Sequence, residues 1–158
     1  MLLAFMRHAR AEPLRPGMSD DERRLTPEGR DEAVKVIQIL DLRPKYVVSS
    51  IVKRALETAE LASKLLGGVE ILPRRELTPE LFNLESLKNL LTNLDLSDGE
   101  TVMLIGHSPS IEDVIQELLN GFRLYLPPAS LACLEVKHPE LSEASLKLYI
   151  RPDYIRGK

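Results

Sequence analysis

Short apolar runs alternate with amphipathic stretches along the chain, and this alternation confines it to an α/β domain with a largely parallel sheet. Leu2 to Met6, Tyr46-Val47-Val48, Val69 to Leu72 and Thr101 to Ile105 read as strands, the last being the strongest. Thr26 caps a first helix with Pro27 at its opening position. Ala33, Val34, Ile37 and Leu40 recur on one face of that helix, and Pro44 prevents its continuation. Ala55, Ala59, Ala62, Leu65 and Leu66 mark the core face of a second helix, which Gly67-Gly68 terminates. Leu84, Leu87, Leu91 and Leu94 suggest a third. Ile111, Val114, Ile115, Leu118 and Leu119 define a fourth, with Ser108 or Ser110 available as its cap. Leu131 to Val136 and Leu146 to Ile150 look like strands closing the sheet at an edge, with Cys133 in the core. The expectation is one three-layer domain over residues 1–158, a mostly parallel central sheet flanked by helices.

Bulk properties narrow the function. A formal net charge of −3 argues against a general nucleic-acid binder, which needs a basic face. The single cysteine excludes an intramolecular disulfide, so the chain reads as intracellular, with a cytoplasmic location expected. Met1 to Met6 is apolar but meets Arg7 and His8 too soon for a signal peptide. No apolar run is long enough to cross a bilayer, and no membrane partner is expected.

In open α/β sheets ligands bind beyond the carboxyl ends of the strands, so the strand-to-helix junctions hold the chemistry. The first strand delivers Arg7-His8, the second Ser49-Ser50-Ile51-Val52-Lys53-Arg54, and the fourth Gly106-His107-Ser108. Two histidines and two arginines at three junctions suit a phosphoryl group, because guanidinium forks match its oxygens in geometry and charge. The same cluster repels metal cations, so no metal and no cofactor is expected. A neutral imidazole can attack phosphorus and pass the phosphoryl group on to water. Each piece also has a plain structural reading. Arg54 fits a solvated helix face, and Gly106-His107-Ser108-Pro109-Ser110 fits a strand-to-helix turn. That segment lacks the final glycine of a nucleophile elbow, which counts against a serine esterase using Ser108. His138 reads as a surface loop residue, and Ser130, after Pro127-Pro128-Ala129, as part of a turn that could also bring a group to the site.

The ordered motifs resemble those of the histidine phosphatase superfamily, also called phosphoglycerate-mutase-like. Its Arg-His-Gly is Arg7-His8-Ala9, its Ser-Pro-x-x-Arg-Ala-x-x-Thr runs from Ser50 to Thr58, its Gly-His is Gly106-His107, and Leu25-Thr26-Pro27-Glu28-Gly29 fits its Leu-Thr-x-x-Gly. The resemblance implies that His8 is the nucleophile and that Arg7, Arg54 and His107 hold the phosphoryl group. It implies a phosphate contact for Arg23, which also fits a solvated loop charge, and a general-acid role for Glu76, with Glu80 close behind. Ala9 and Ile51 depart from the usual glycine and proline, with altered backbone detail expected. Between Arg54 and Gly106 there is room for one strand and one modest helix, so the large helical cap of bigger members is absent. The chain therefore looks most like the small SixA-type protein phosphohistidine phosphatases. The partner implied is a phosphorylated protein or a small phosphate ester. A non-catalytic phosphoprotein-binding module keeping Arg7, Arg54 and His107 as an anion cradle remains open.

Overall fold

The apolar runs become a six-stranded sheet in the computed structural model, which describes residues 1–156. In chain order the elements are β1 (Leu2–Arg7), α1 (Pro27–Gln38), β2 (Tyr46–Ser49), α2 (Lys53–Leu65), β3 (Glu70–Pro73), α3 (Leu84–Thr92), β4 (Thr101–Gly106), α4 (Ser110–Leu118), β5 (Leu131–Lys137) and β6 (Ser142–Ile150). The strand order is β3-β2-β4-β1-β5-β6. The first four are mutually parallel, while β5 and β6 add antiparallel at one edge.

The near-continuous apolar character of β1 and β4 follows from their central places, since a parallel sheet is covered on both faces. Their side chains alternate between two cores. Leu3, Phe5, Val102 and Leu104 pack with Leu87, Leu90 and Leu91 of α3 and with Ile111, Val114 and Ile115 of α4. Ala4, Met6, Met103 and Ile105 pack with Ala33, Val36 and Ile37 of α1 and Ala55, Ala59 and Ala62 of α2. This is the expected three-layer arrangement, and each fully buried large side chain contributes roughly 1.5–3 kcal/mol. Among the described residues no helix is long and apolar enough to cross a membrane.

Thr26 caps α1 as expected, its Oγ1 accepting from the Gly29 N–H at 3.0 Å. Gly67 and Gly68 end α2 with φ of +98° and +84°, the left-handed region that glycine enters without penalty. Three details differ from the sequence reading. Neither Ser108 nor Ser110 caps α4: the N-cap position is Pro109, and Ser110 is already helical, its hydroxyl donating to the His107 carbonyl at 3.0 Å. Helix α3 ends at Thr92, short of Leu94, and opens with a capping box between Asn83 and Ser86. Strand β6 begins at Ser142, four residues ahead of Leu146. Its first half is polar because an edge strand hairpinned on β5 needs no apolar face there.

Candidate active site

The chain leaves β1 in a fixed path. The Arg7 N–H donates to Ser130 O and the His8 N–H to Gly106 O, both at 3.0 Å, while the Ala129 N–H reaches back to the Arg7 and His8 carbonyls at 3.2 Å. Ala129 adopts a φ of +65° to do so. Thr58 holds the next residue: its Oγ1 accepts from the Ala9 N–H at 3.0 Å and donates to Arg54 O at 2.8 Å. The Arg-Ala-x-x-Thr spacing thus ties one turn of α2 to the β1 exit. Ala9 is fully buried and its φ is not positive, so a methyl group in place of hydrogen brings no backbone strain. Gly29 is different: a Cβ there would meet Arg10 O at 2.2 Å, so α1 can pack on the post-β1 loop only through glycine.

His8 and His107 stand with ring centroids 5.2 Å apart, tilted by 58°. His8 Nδ1 lies 2.7 Å from Ala9 O and donates to it, which leaves the Nε2 lone pair facing the Arg54 Nε donor at 3.3 Å. Burial pushes the His8 pKa down to about 3, opposed by the Ala9 carbonyl and reinforced by His107, Arg54 and Arg7. Burial, then Arg54, lowers that of His107 to about 4. Both rings are therefore neutral near pH 7. His107 Nε2 pairs with Ser50 Oγ at 2.9 Å, and Ser50 Oγ also accepts from the Val52 N–H at 3.3 Å. His107 Nδ1 has no protein partner.

A cavity of about 280 Å³ opens here, walled by four arginines, Arg7, Arg10, Arg23 and Arg54, and by His8 and His107. Arg7 Nη1 donates to Leu126 O at 3.0 Å, and the Leu126 N–H is held in turn by the buried Glu112 at 3.2 Å. The structure thus gathers five of the six residues singled out from sequence. Glu76 is the sixth. It sits half-buried in a 3₁₀ turn, Arg75–Leu77, and neither it nor Glu80 lines the cavity, to which Pro79 alone contributes from that segment. No Asp or Glu is among the lining residues. Among the described residues no group of three or more His, Cys, Asp or Glu side chains is placed to hold a metal ion. Ser130 keeps its backbone role in the turn and its hydroxyl is buried without a partner. His138 lies in the β5–β6 turn and Cys133 in the core.

Sequence reasoning missed Asp20, Ser50 and Glu57. Asp20 touches both Arg54 and Arg23. Glu57 is buried and accepts from the Leu25 N–H at 2.8 Å and from Arg30 at 3.1 Å, fastening α2 to the entry of α1. A glutamate three residues after Arg54 on a helix is a neighbour of it, which was the available signal.

The model of the histidine phosphatase superfamily (branch 1) matches residues 3–80, the segment carrying Arg7-His8, Leu25 to Gly29 and Ser50 to Thr58. The chain belongs to the histidine phosphatase superfamily. The family match supports a phosphatase. Its fold is shared with a protein histidine phosphatase SixA complexed with tungstate, at 22% identity and a TM-score of 0.80, covering 97% of this chain and 98% of that one. A SixA protein from Agrobacterium tumefaciens aligns at 23% identity and TM-score 0.75, over 96% of this chain and 98% of its own. The alpha-ribazole phosphatase from Shigella flexneri aligns at 15% and 0.69, over 96% and 97%. No curated protein sequence is matched. The superfamily fold is present without a large helical cap: α3 lies against the sheet core and leaves the cavity uncovered on that side.

Proposed function

We propose that the protein removes phosphoryl groups through a phosphohistidine on His8, and that its substrate is phosphohistidine on a partner protein. The observation that carries the first part is the His8 ring. With Nδ1–H held by Ala9 O, the lone pair of a neutral Nε2 faces a cavity walled by arginines. In the first step the P–N bond of the substrate breaks as a P–Nε2 bond forms, and the departing imidazole takes a proton from solvent water. In the second, water attacks phosphorus, loses a proton and releases inorganic phosphate, and Nε2 recovers its lone pair. Arg7 and Arg54 stabilise the charge spread over the equatorial oxygens, with Arg23 at the rim. Ser50 Oγ and His107 Nε2, 2.9 Å apart, hold the His107 ring in place beside His8 in the cavity wall.

The absence of a carboxylate from the cavity wall supports the substrate class. An alkoxide leaving group needs a proton donor in the wall, whereas an imidazole leaves with far less help. Glu76, read from the sequence as the general acid, lies outside that wall and has no part in the scheme. The uncovered cavity likewise suits a side chain projecting from a folded protein, and no metal enters the scheme.

Rapid-quench trapping with labelled substrate tests the reading. An acid-labile, base-stable adduct on His8, lost together with turnover in His8→Ala, is expected. Label on Ser108, or an active His8→Ala protein, overturns it. A phosphoprotein-binding module would bind phosphohistidine protein yet form no adduct.

A further inference from the structure

Asp20 lies outside the cavity lining, its side chain 54% exposed, on the short 3₁₀ turn Asp20–Glu22 of the long loop after β1. Its carboxylate joins two guanidiniums. Oδ2 accepts from Arg54 Nη2 at 3.2 Å, and Oδ1 accepts from Arg23 Nε at 3.0 Å, with Arg23 Nη2 also at 3.0 Å. Its backbone carbonyl accepts from Arg54 Nη1 at 2.9 Å and from the Arg23 N–H at 3.3 Å. Every edge of the Arg54 guanidinium is therefore anchored: Nε on His8 Nε2, both Nη atoms on Asp20.

We propose that Asp20 is a positioning residue that holds Arg54 and Arg23 together in the cavity wall, in the orientation a phosphoryl group meets, without touching that group. The proposal rests on the phosphatase reading above. Two cations sharing one wall repel, and each would turn toward solvent without an anion between them. Burial alone would raise the Asp20 pKa, but Arg54 and Arg23 outweigh it and hold the carboxyl below its ordinary value. Asp20 is thus a fixed negative charge at neutral pH, unsuited to giving up a proton. It keeps the donors preorganised before substrate arrives, the condition under which such donors lower a barrier.

Orientation and attraction then respond in opposite ways when the charge is removed. In Asp20→Asn the two arginines lose their shared anchor, so turnover suffers. Inorganic phosphate, a product anion needing only positive charge, loses a nearby repulsive carboxylate and binds as well or better. The experiment pairs steady-state hydrolysis of a phosphohistidine-bearing protein domain with calorimetric titration of inorganic phosphate, for wild type, Asp20→Asn and Asp20→Ser. The expected result is a kcat lower by about ten- to a hundredfold, the scale of a small misplacement of reacting groups, with phosphate affinity unchanged or tighter. A kcat within twofold of wild type in both variants overturns the proposal. So does phosphate binding that weakens in step with kcat, which marks a collapsed site. If the wild type itself hydrolyses nothing, the phosphatase reading fails. In that event the titration still decides for Asp20, since weaker phosphate binding in the variants refutes the wall geometry.

Discussion

Lowering the pH from 8 to 5 should cost the fold stability through His8 and His107. Both have native pKa values far below the ordinary 6.5, at about 3 and about 4. Across this window the native rings stay neutral while the unfolded chain takes up nearly one proton at each. The unfolded state binds more protons, so stability rises with pH: it is complete above 6.5 and drains away as pH falls toward the native values. Each pH unit below 6.5 costs about 1.4 kcal/mol per histidine, hence about 2 kcal/mol each at pH 5. Asp20, Glu100 and Asp153, whose pKa values are lowered, lose their contributions only at more acid pH, so the window isolates the histidines. The chain has no tryptophan, so urea denaturation followed by far-UV circular dichroism at pH 8, 6.5 and 5 is the suitable assay. In His8→Asn the loss between pH 8 and 5 should fall by about half, whatever the variant's stability at pH 8. An equal loss in wild type and His8→Asn would refute the burial of a neutral His8.

Two further outcomes are expected. Gly29→Ala should destabilise the protein by about 2–3 kcal/mol in the same denaturation assay, because its Cβ meets backbone at Arg10 and cannot relax by a side-chain rotation. Glu76→Gln should leave kcat unchanged on both an alkyl phosphate and a phosphohistidine protein, because its side chain lies outside the cavity wall; a loss confined to the alkyl phosphate, read by phosphate release, would contradict the leaving-group argument.

The strands were legible because a central parallel strand is apolar on both faces, as β4 is throughout. The junction residues were legible because sheet topology puts every βα turn of a parallel sheet at one end. Arg7, His8, Arg54 and His107 therefore meet although 100 positions separate the outermost. What could not be read is reach. Asp20, Asp21, Glu22, Arg23 and Arg24 form one charged run. Asp20, Asp21, Glu22 and Arg24 are all exposed, as a solvated loop would be, yet Arg23 enters the cavity wall and Asp20 pairs with Arg23 and Arg54. That division depends on how the post-β1 loop lies across α1 and α2, a tertiary fact with no local periodicity. The cap of α4 was misread because Ser108 lies in the cavity lining and Ser110 is already helical, which leaves Pro109 at the N-cap position.

One local rule is broken at the site, and the break carries information. Lys53 and Arg54 open α2, where the helix dipole disfavours cations, and no side chain caps that end. Nothing in helix formation favours this choice. An anion bound beyond the helix terminus reverses the sign, since it is attracted both by the free backbone N–H groups and by the guanidinium. The overall charge of −3 gives no hint of this local field, because carboxylates such as Asp20 and Glu57 are paired with arginines outside the lining, and the ionisable groups of the cavity itself are arginine and neutral imidazole. A dianion entering this cavity meets positive charge on several sides, while the anions that balance it on paper are already engaged with Arg54, Arg23 and Arg30.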